Sequence, residues 1–258
     1  RSEMESQESP KFLFSVRAGA DLHMNTNKII GVIGGMGPQA SAEFYRLLID
    51  GAKRQFGVRH NHEFPEILLD SVPVPDFLAD VDQMEKAALM LEDRVRRLTA
   101  YGSTIITMAC NTACILSDRL QQQTERPFIF IVDEVVRKVV ADGRRILLLA
   151  SPTSLRLGLY QLQLSRYGVP FIVPEQKDYA ELEFIIRATL AGEDRVPLMH
   201  KLVKLTERYV EANPVGGVVL GCTELPLVFP TYYRLPVYSS LSILAESILK
   251  RYYTKEVV

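Results

Sequence analysis

The chain has 258 residues, 47% of them apolar, and its 30 basic and 31 acidic side chains leave a net charge of -1. That length and apolar share suit one large globular domain or two lobes, and exclude wholesale disorder. The balanced charge lacks the electropositive footprint of a nucleic-acid binder, and the apolar runs fall far short of the roughly 20 residues of a membrane span.

The only cysteines are Cys110, Cys114 and Cys222, a poor disulfide framework that fits reduced thiols in a soluble, cytoplasmic protein. His23, His60, His62 and His200 have no spacing that pairs them with these thiols as metal ligands, so no metal is expected. His60 and His62 stand in a polar loop and read as exposed or structural.

Residues 1–23 show no helical or strand period. They read as an extension added for expression, with Met24 as the natural start; the apolar stretch from Phe12 to Val16 is too short for a secretory signal. Lys28-Ile-Ile-Gly-Val-Ile33 is then an apolar run of the kind covered on both faces of a parallel sheet. Gly34-Gly-Met-Gly-Pro38 breaks it, and residues 40–49 have helical spacing. This glycine loop invites a phosphate-cradle reading, but it lacks the GxGxxG spacing, and a turn that admits a substrate carboxylate fits better.

Glu66–Asp70 is a second strand, closed by Val72-Pro-Val-Pro75. A helix over 82–100 lines up Met84, Ala88, Leu91, Val95 and Leu98 on one face. A strand ends at Ala109, and a helix follows to about Gln122. The pattern restarts with a strand at 144–149, a turn at 150–154, a helix at 155–167 and a strand at 169–173. Helices at 178–191 and 196–212 precede the strand that ends at Cys222.

Alternating strands and helices in two like halves predict an α/β fold of two pseudo-symmetric lobes, each a mostly parallel sheet flanked by helices. Lobe 1 is expected to take residues 24–128 and 229–258, and lobe 2 residues 129–228. Leu235–Tyr238 and a helix over 240–252 are thereby expected to return to the first lobe.

Ligands of open parallel sheets bind beyond the carboxyl ends of the strands. The Gly34–Pro38 loop, Cys110, the 150–154 turn and Cys222 are all strand-end positions, and the prediction is that they meet in one cleft. Cys110 and Cys222 each follow an apolar run, and each precedes small polar residues, Asn111-Thr112 and Thr223-Glu224. A buried cysteine is often only a small hydrophobe. Two in matched settings point instead to an acid and a base on opposite faces of one carbon. Amides at a helix start lower a thiol from its ordinary value of roughly 8.5, so one cysteine is expected to start as a reactive thiolate and the other as a thiol, according to the enantiomer bound. Cys114, four residues after Cys110, reads as packing. Glu224 reads equally as a first-turn acid that suits the helix dipole or as a partner for a substrate amine.

The segments Ile30-Gly-Val-Ile-Gly-Gly-Met-Gly-Pro38, Cys110-Asn-Thr-Ala113 and Leu220-Gly-Cys-Thr-Glu-Leu-Pro-Leu227 resemble the aspartate/glutamate racemase superfamily, and its aspartate racemase branch most. Ser154-Leu-Arg-Leu-Gly-Leu-Tyr160, Phe171-Ile-Val-Pro174 and Ile243-Leu-Ala245 match in order.

The resemblance implies two lobes, no cofactor, an amino acid or related carboxylate as substrate, and a homodimer. It makes Cys110 and Cys222 the catalytic pair, and Met36, Asn111, Thr112, Thr223 and Glu224 the substrate-binding residues. Three positions depart from the branch. Phe77 stands where an arginine holds the substrate's side-chain carboxylate, Leu190 where a lysine is expected, and Cys114 where a histidine is common. Arg156 and Lys177 are the cations that could take over. The leading activity is therefore amino-acid racemisation. A lyase or decarboxylase working through a cysteine-generated carbanion is the alternative, and a non-catalytic binding protein a third.

Overall fold

Two four-stranded parallel sheets form the framework of residues 28–75 and 81–254, which this computed structural model describes. The extension at residues 1–23 and the specificity position Phe77 lie outside the described residues. The first sheet takes β1 (Ile29–Gly34), β2 (Glu66–Ser71), β3 (Ile105–Met108) and β4 (Phe128–Ile129), interleaved with α1 (Pro38–Phe56), α2 (Val81–Ala100) and α3 (Ser117–Gln121). After α4 (Ile131–Asp142) come β5 (Ile146–Ala150), α5 (Pro152–Leu157), α6 (Leu159–Arg166) and β6 (Phe171–Ile172). The chain ends with α7 (Tyr179–Leu190), α8 (Arg195–Ala212), β7 (Gly217–Gly221), α9 (Leu225–Val228), β8 (Val237–Ser239) and α10 (Ser240–Tyr253).

The strand orders are β2-β1-β3-β4 and β6-β5-β7-β8, all parallel, so the second sheet repeats the first. This is the pseudo-symmetry that the alternating pattern predicts. In both sheets the two central strands are apolar and buried, because helices cover both faces. One buried cluster runs without a break from Ile30, Phe44 and Leu48 through Val135 and Leu148 to Leu244 and Ile248, and so joins the lobes. A separate cluster, with Leu91, Val95, Ile106 and Met108, fills the space under α2.

Three regions differ from the sequence expectation. β8 pairs with β7, Val219 opposite Tyr238, and so belongs to the second sheet rather than the first. Only the helix that follows crosses over: α10 packs on α1 and α4. Its last turn is tied to the start of β1 by Lys28, whose Nζ donates to the carbonyls of Arg251, Tyr252 and Thr254 at 2.6, 3.2 and 2.9 Å.

The helix expected over 155–167 is two helices, broken at Gly158, where φ is +67°. A left-handed residue ends a helix, and only glycine adopts it without a steric cost. Residues 123–143, to which the sequence pattern assigns nothing, hold β4 and α4. A two-residue strand has too few positions to display a period. Among the described residues no helix is long and apolar enough to cross a membrane.

Candidate active site

The carboxyl ends of β1, β3, β5 and β7 open on one cleft of about 420 Å³ between the lobes. Its floor is built from four strand-end segments: Gly35–Pro38, Cys110–Thr112, Ser151–Thr153 and Cys222–Glu224. These are the four positions that the sequence brings together, and Met36, Asn111, Thr112, Thr223, Glu224 and Leu190 all line it with the two thiols.

Each segment has a local reason for its shape. Gly35 has φ +92°, and a Cβ there would meet the backbone of Val72 at 2.4–2.8 Å, so no side chain fits the turn after β1. Gly37 then precedes α1, with Pro38 at the first helical position; Ser151 and Pro152 repeat this at the start of α5. A Cβ on Gly37 would stand 2.6 Å from Leu190 Cδ1 and 2.9 Å from Glu224 Oε1. The first lobe's loop thus touches the second lobe's wall. Nearby, Gln39 Nε2 donates to the Leu190 carbonyl at 2.9 Å, a further bridge between lobes at the mouth.

Cys110 and Cys222 are nearly covered, 8% and 6% exposed. Burial pushes the Cys110 thiol up to about 12, and the charge of Glu224 adds to the rise; the amides of Ala113 and Thr112 lower it without offsetting burial. Cys222 is also raised well above its ordinary range, by burial first and then by the charge and hydrogen bond of Glu224. Burial thus favours the protonated form of both thiols, against the expectation that one of them starts as a thiolate. Amides at short turns do not compensate for the loss of water around a buried anion.

Glu224 does more than serve a helix dipole. Its Oε2 accepts from Cys222 Sγ at 3.1 Å and from the Thr223 hydroxyl at 3.0 Å. Cys222 thus has a carboxylate aimed at its proton. Cys110 is flanked by backbone amides and by hydroxyls and carboxamides of its neighbours instead. Cys114, half-buried, directs its Sγ to the Cys110 carbonyl at 3.7 Å, and burial raises its thiol strongly. That agrees with the packing role read from sequence.

The side chains of Asn111 and Thr112 hold the lobes together. The Thr112 hydroxyl lies 3.0 Å from both Ser151 Oγ, which caps α5, and Ser154 Oγ in its first turn. Asn111 Nδ2 donates to Ser240 Oγ at 3.2 Å, at the start of α10, and its Oδ1 accepts from the hydroxyl of Tyr160 in α6. One N–H of the Asn111 carboxamide keeps no partner among the described residues. Ser154 and Tyr160 bound a segment that matches the family by resemblance, but neither they nor Ser151 and Ser240 are given a site role by the sequence. Ser151 and Ser154 follow β5 as the glycine loop follows β1, and that parallel was their available signal.

Of the two substitute cations, Arg156 lines the cleft and sits over the Tyr179 ring at 5.8 Å. Lys177 is not among the lining residues, and its Nζ pairs with Glu175 at 2.6 Å. Arg187, which sequence reasoning missed, lines the cleft from α7 and pairs with Glu183 at 2.9 Å.

Two parallel α/β sheets of one strand order, flanked by helices, are the two-lobe racemase fold. The Asp/Glu/hydantoin racemase family model matches residues 33–248, and the chain belongs to that family. Among curated relatives, the broad-specificity amino-acid racemase RacX of Bacillus subtilis (strain 168) is 24% identical over 229 residues, covering 87% of this chain and 98% of the relative. The crystal structure of an aspartate racemase homologue from Pyrococcus horikoshii OT3 superposes with a TM-score of 0.75 at 26% identity, over 88% of this chain and all of that one. Picrophilus torridus aspartate racemase shares the fold, with a TM-score of 0.76 at 24% identity over 87% and 94% of the two chains.

Proposed function

We propose that this chain is an amino-acid racemase in which Cys110 and Cys222 work on opposite faces of the substrate Cα. The observation that carries this reading is the pair of thiols at equivalent ends of β3 and β7, on one cleft between like sheets. One thiolate takes the Cα proton while the facing thiol delivers its own to the other face. Only protons move, and the roles exchange with the enantiomer bound.

Glu224 supplies what the raised thiols lack. Its carboxylate, 3.1 Å from Cys222 Sγ, takes the thiol proton and leaves the thiolate. A substrate ammonium brings positive charge into this acidic corner and lowers both thiols. Backbone amides near Cys110 and Cys222, with the second N–H of Asn111, hold the α-carboxylate as it gains charge from the forming carbanion. Thr223 orients Glu224 through its hydroxyl. Met36 and Leu190 bound the space for the substrate side chain from opposite lobes. The same reading keeps the protein in a reducing, cytoplasmic setting, since all three thiols are free, and as a homodimer.

The reading extends to substrate range. Phe77 and Leu190 stand where the branch has an arginine and a lysine. Among the described residues the only cations that line the cleft are Arg156 and Arg187, both exposed. An exposed ion pair contributes about 0–1 kcal/mol, against about 2–5 kcal/mol for a buried one. Acidic and neutral amino acids are therefore expected to react within about tenfold of each other in kcat/KM.

A panel of L-amino acids in deuterated water, read for chirality and for Cα deuterium by NMR, tests both levels. A preference for aspartate above 100-fold would remove the broad range and leave the racemase. No deuterium at Cα with any amino acid sinks the racemase. A product of changed composition points to the lyase or decarboxylase alternative.

A further inference from the structure

Tyr160 touches a chain neighbour of each thiol. It lies in α6 of the second lobe and is among the largest fully buried side chains. Its hydroxyl donates to Oδ1 of Asn111, the residue after Cys110. Its ring edge lies against Gly221, the residue before Cys222, so closely that a Cβ on Gly221 would stand 2.8 Å from Tyr160 Cε2. One rigid aromatic side chain thus spans the floor between the two strand ends.

The hydroxyl end and the ring end act differently. The Tyr160 hydroxyl donates to Asn111 Oδ1, and Nδ2 donates to Ser240 Oγ at 3.2 Å, so two anchors on different helices hold the plane of the carboxamide. Burial holds the phenol proton far above its ordinary range, and the charges of nearby thiols add to that, so the hydroxyl stays a donor at any working pH. The ring, by contrast, makes only van der Waals contact with Gly221.

From this geometry we propose that Tyr160 is a positioning residue for the reaction: through Asn111 it fixes the segment that carries Cys110, while its ring only packs beside Cys222. The proposal rests on the racemase reading for its kinetic consequence, but not for its structural one. Losing the hydroxyl frees the carboxamide next to Cys110 and leaves the Cys222 side as it was. A misplaced acid/base costs rate in the step it performs, about 10- to 100-fold for a shift near 1 Å.

Tyr160→Phe keeps the ring and removes only the hydroxyl. Each turnover uses both thiols, so Tyr160→Phe is expected to lower racemisation about 10- to 100-fold in both directions. Racemisation within about twofold of wild type overturns the proposal; which thiol has moved is read by alkylation.

A second arm needs no substrate. Mass spectrometry resolves iodoacetamide alkylation of Cys110 from that of Cys222 in the whole chain at pH 9. Tyr160→Phe should change the Cys110 rate severalfold and leave Cys222 unchanged; the reverse pattern overturns the placement. Ser240→Ala, which removes the other anchor of Asn111, should give the same one-sided signature at smaller size, and a two-sided loss there counts against the proposal. If the wild type acts on no amino acid, the alkylation arm still decides the role of Tyr160, so the two failures are distinguishable.

Discussion

The carboxyl ends of β3 and β7 occupy equivalent places in two sheets of one strand order, yet their thiols have different company. Cys222 has the Glu224 carboxylate at 3.1 Å. Cys110 has the amides of Thr112 and Ala113 and feels Glu224 through charge alone, while its chain neighbours Asn111 and Thr112 bond to neutral groups, Tyr160 and Ser240, and Ser151 and Ser154. Fold symmetry therefore does not carry over to charge. The difference teaches that a cleft between like lobes holds two thiols in mirror places while giving only one of them an adjacent base. The glycine loop repeats the lesson, since Gly37 stands where the second lobe has the capping Ser151.

The strongest way to break the comparison is to remove each thiol in turn. Cys110→Ser and Cys222→Ser are each expected to abolish racemisation, a loss of more than about 10³-fold, because a serine hydroxyl is far less acidic than a thiol. Chirality assays on the best substrate measure it. A single variant that keeps a tenth of the activity would show that one thiol is not needed.

Glu224→Gln sharpens the asymmetry, and the signs of its two effects oppose. The carboxylate raises Cys222 by charge and by hydrogen bond, so its removal lowers that thiol and speeds alkylation of Cys222 at pH 8–9. Cys110, raised by Glu224 through charge alone and mainly by burial, is expected to change less. Racemisation falls at the same time, about 10²-fold, for want of a proton acceptor. With the Cys110 thiol pushed up to about 12 in the wild type, its thiolate fraction grows about tenfold per pH unit from 7 to 10, so its alkylation rises throughout that range. A plateau near pH 8 would contradict this.

The smallest effect concerns the loop. Gly37→Ser copies the cap of the second lobe, a residue type that stabilises a helix start by about 1 kcal/mol. Its Cβ meets Leu190 and Glu224 at 2.6 and 2.9 Å, which displaces both. The expected outcome is a melting temperature within a few degrees of wild type and a kcat lower by about tenfold. Unchanged kcat would mean that Glu224 tolerates movement, and that its position relative to Cys222 is not critical.

The site's four strand-end segments were legible because parallel strands deliver their chemistry at one end, and an apolar run followed by Cys and small polar residues marks that end. The partners of those residues were not. Tyr160 closes a segment that matches the family, but nothing local says that its hydroxyl meets Asn111, 49 positions away. Arg187 was hidden for a like reason: a charge on an amphipathic helix looks the same whether that face meets solvent or a cleft. Lys177 showed the converse, a plausible cation by position that pairs with Glu175 instead. The upward shift of both thiols escaped because burial depth is a sum over the whole fold, while the amides that oppose it are local.

By itself the sequence determined two α/β halves, the strand-end cysteines and the glycine turn, since each follows from short-range patterns: apolar runs, helical periods and a backbone that admits no Cβ. Only the tertiary structure decided where β8 pairs, how α10 crosses to α1, and which thiol has a carboxylate beside it. Those are contacts between distant segments. Their energies depend on distance and on water excluded by both lobes together, neither of which a local pattern encodes.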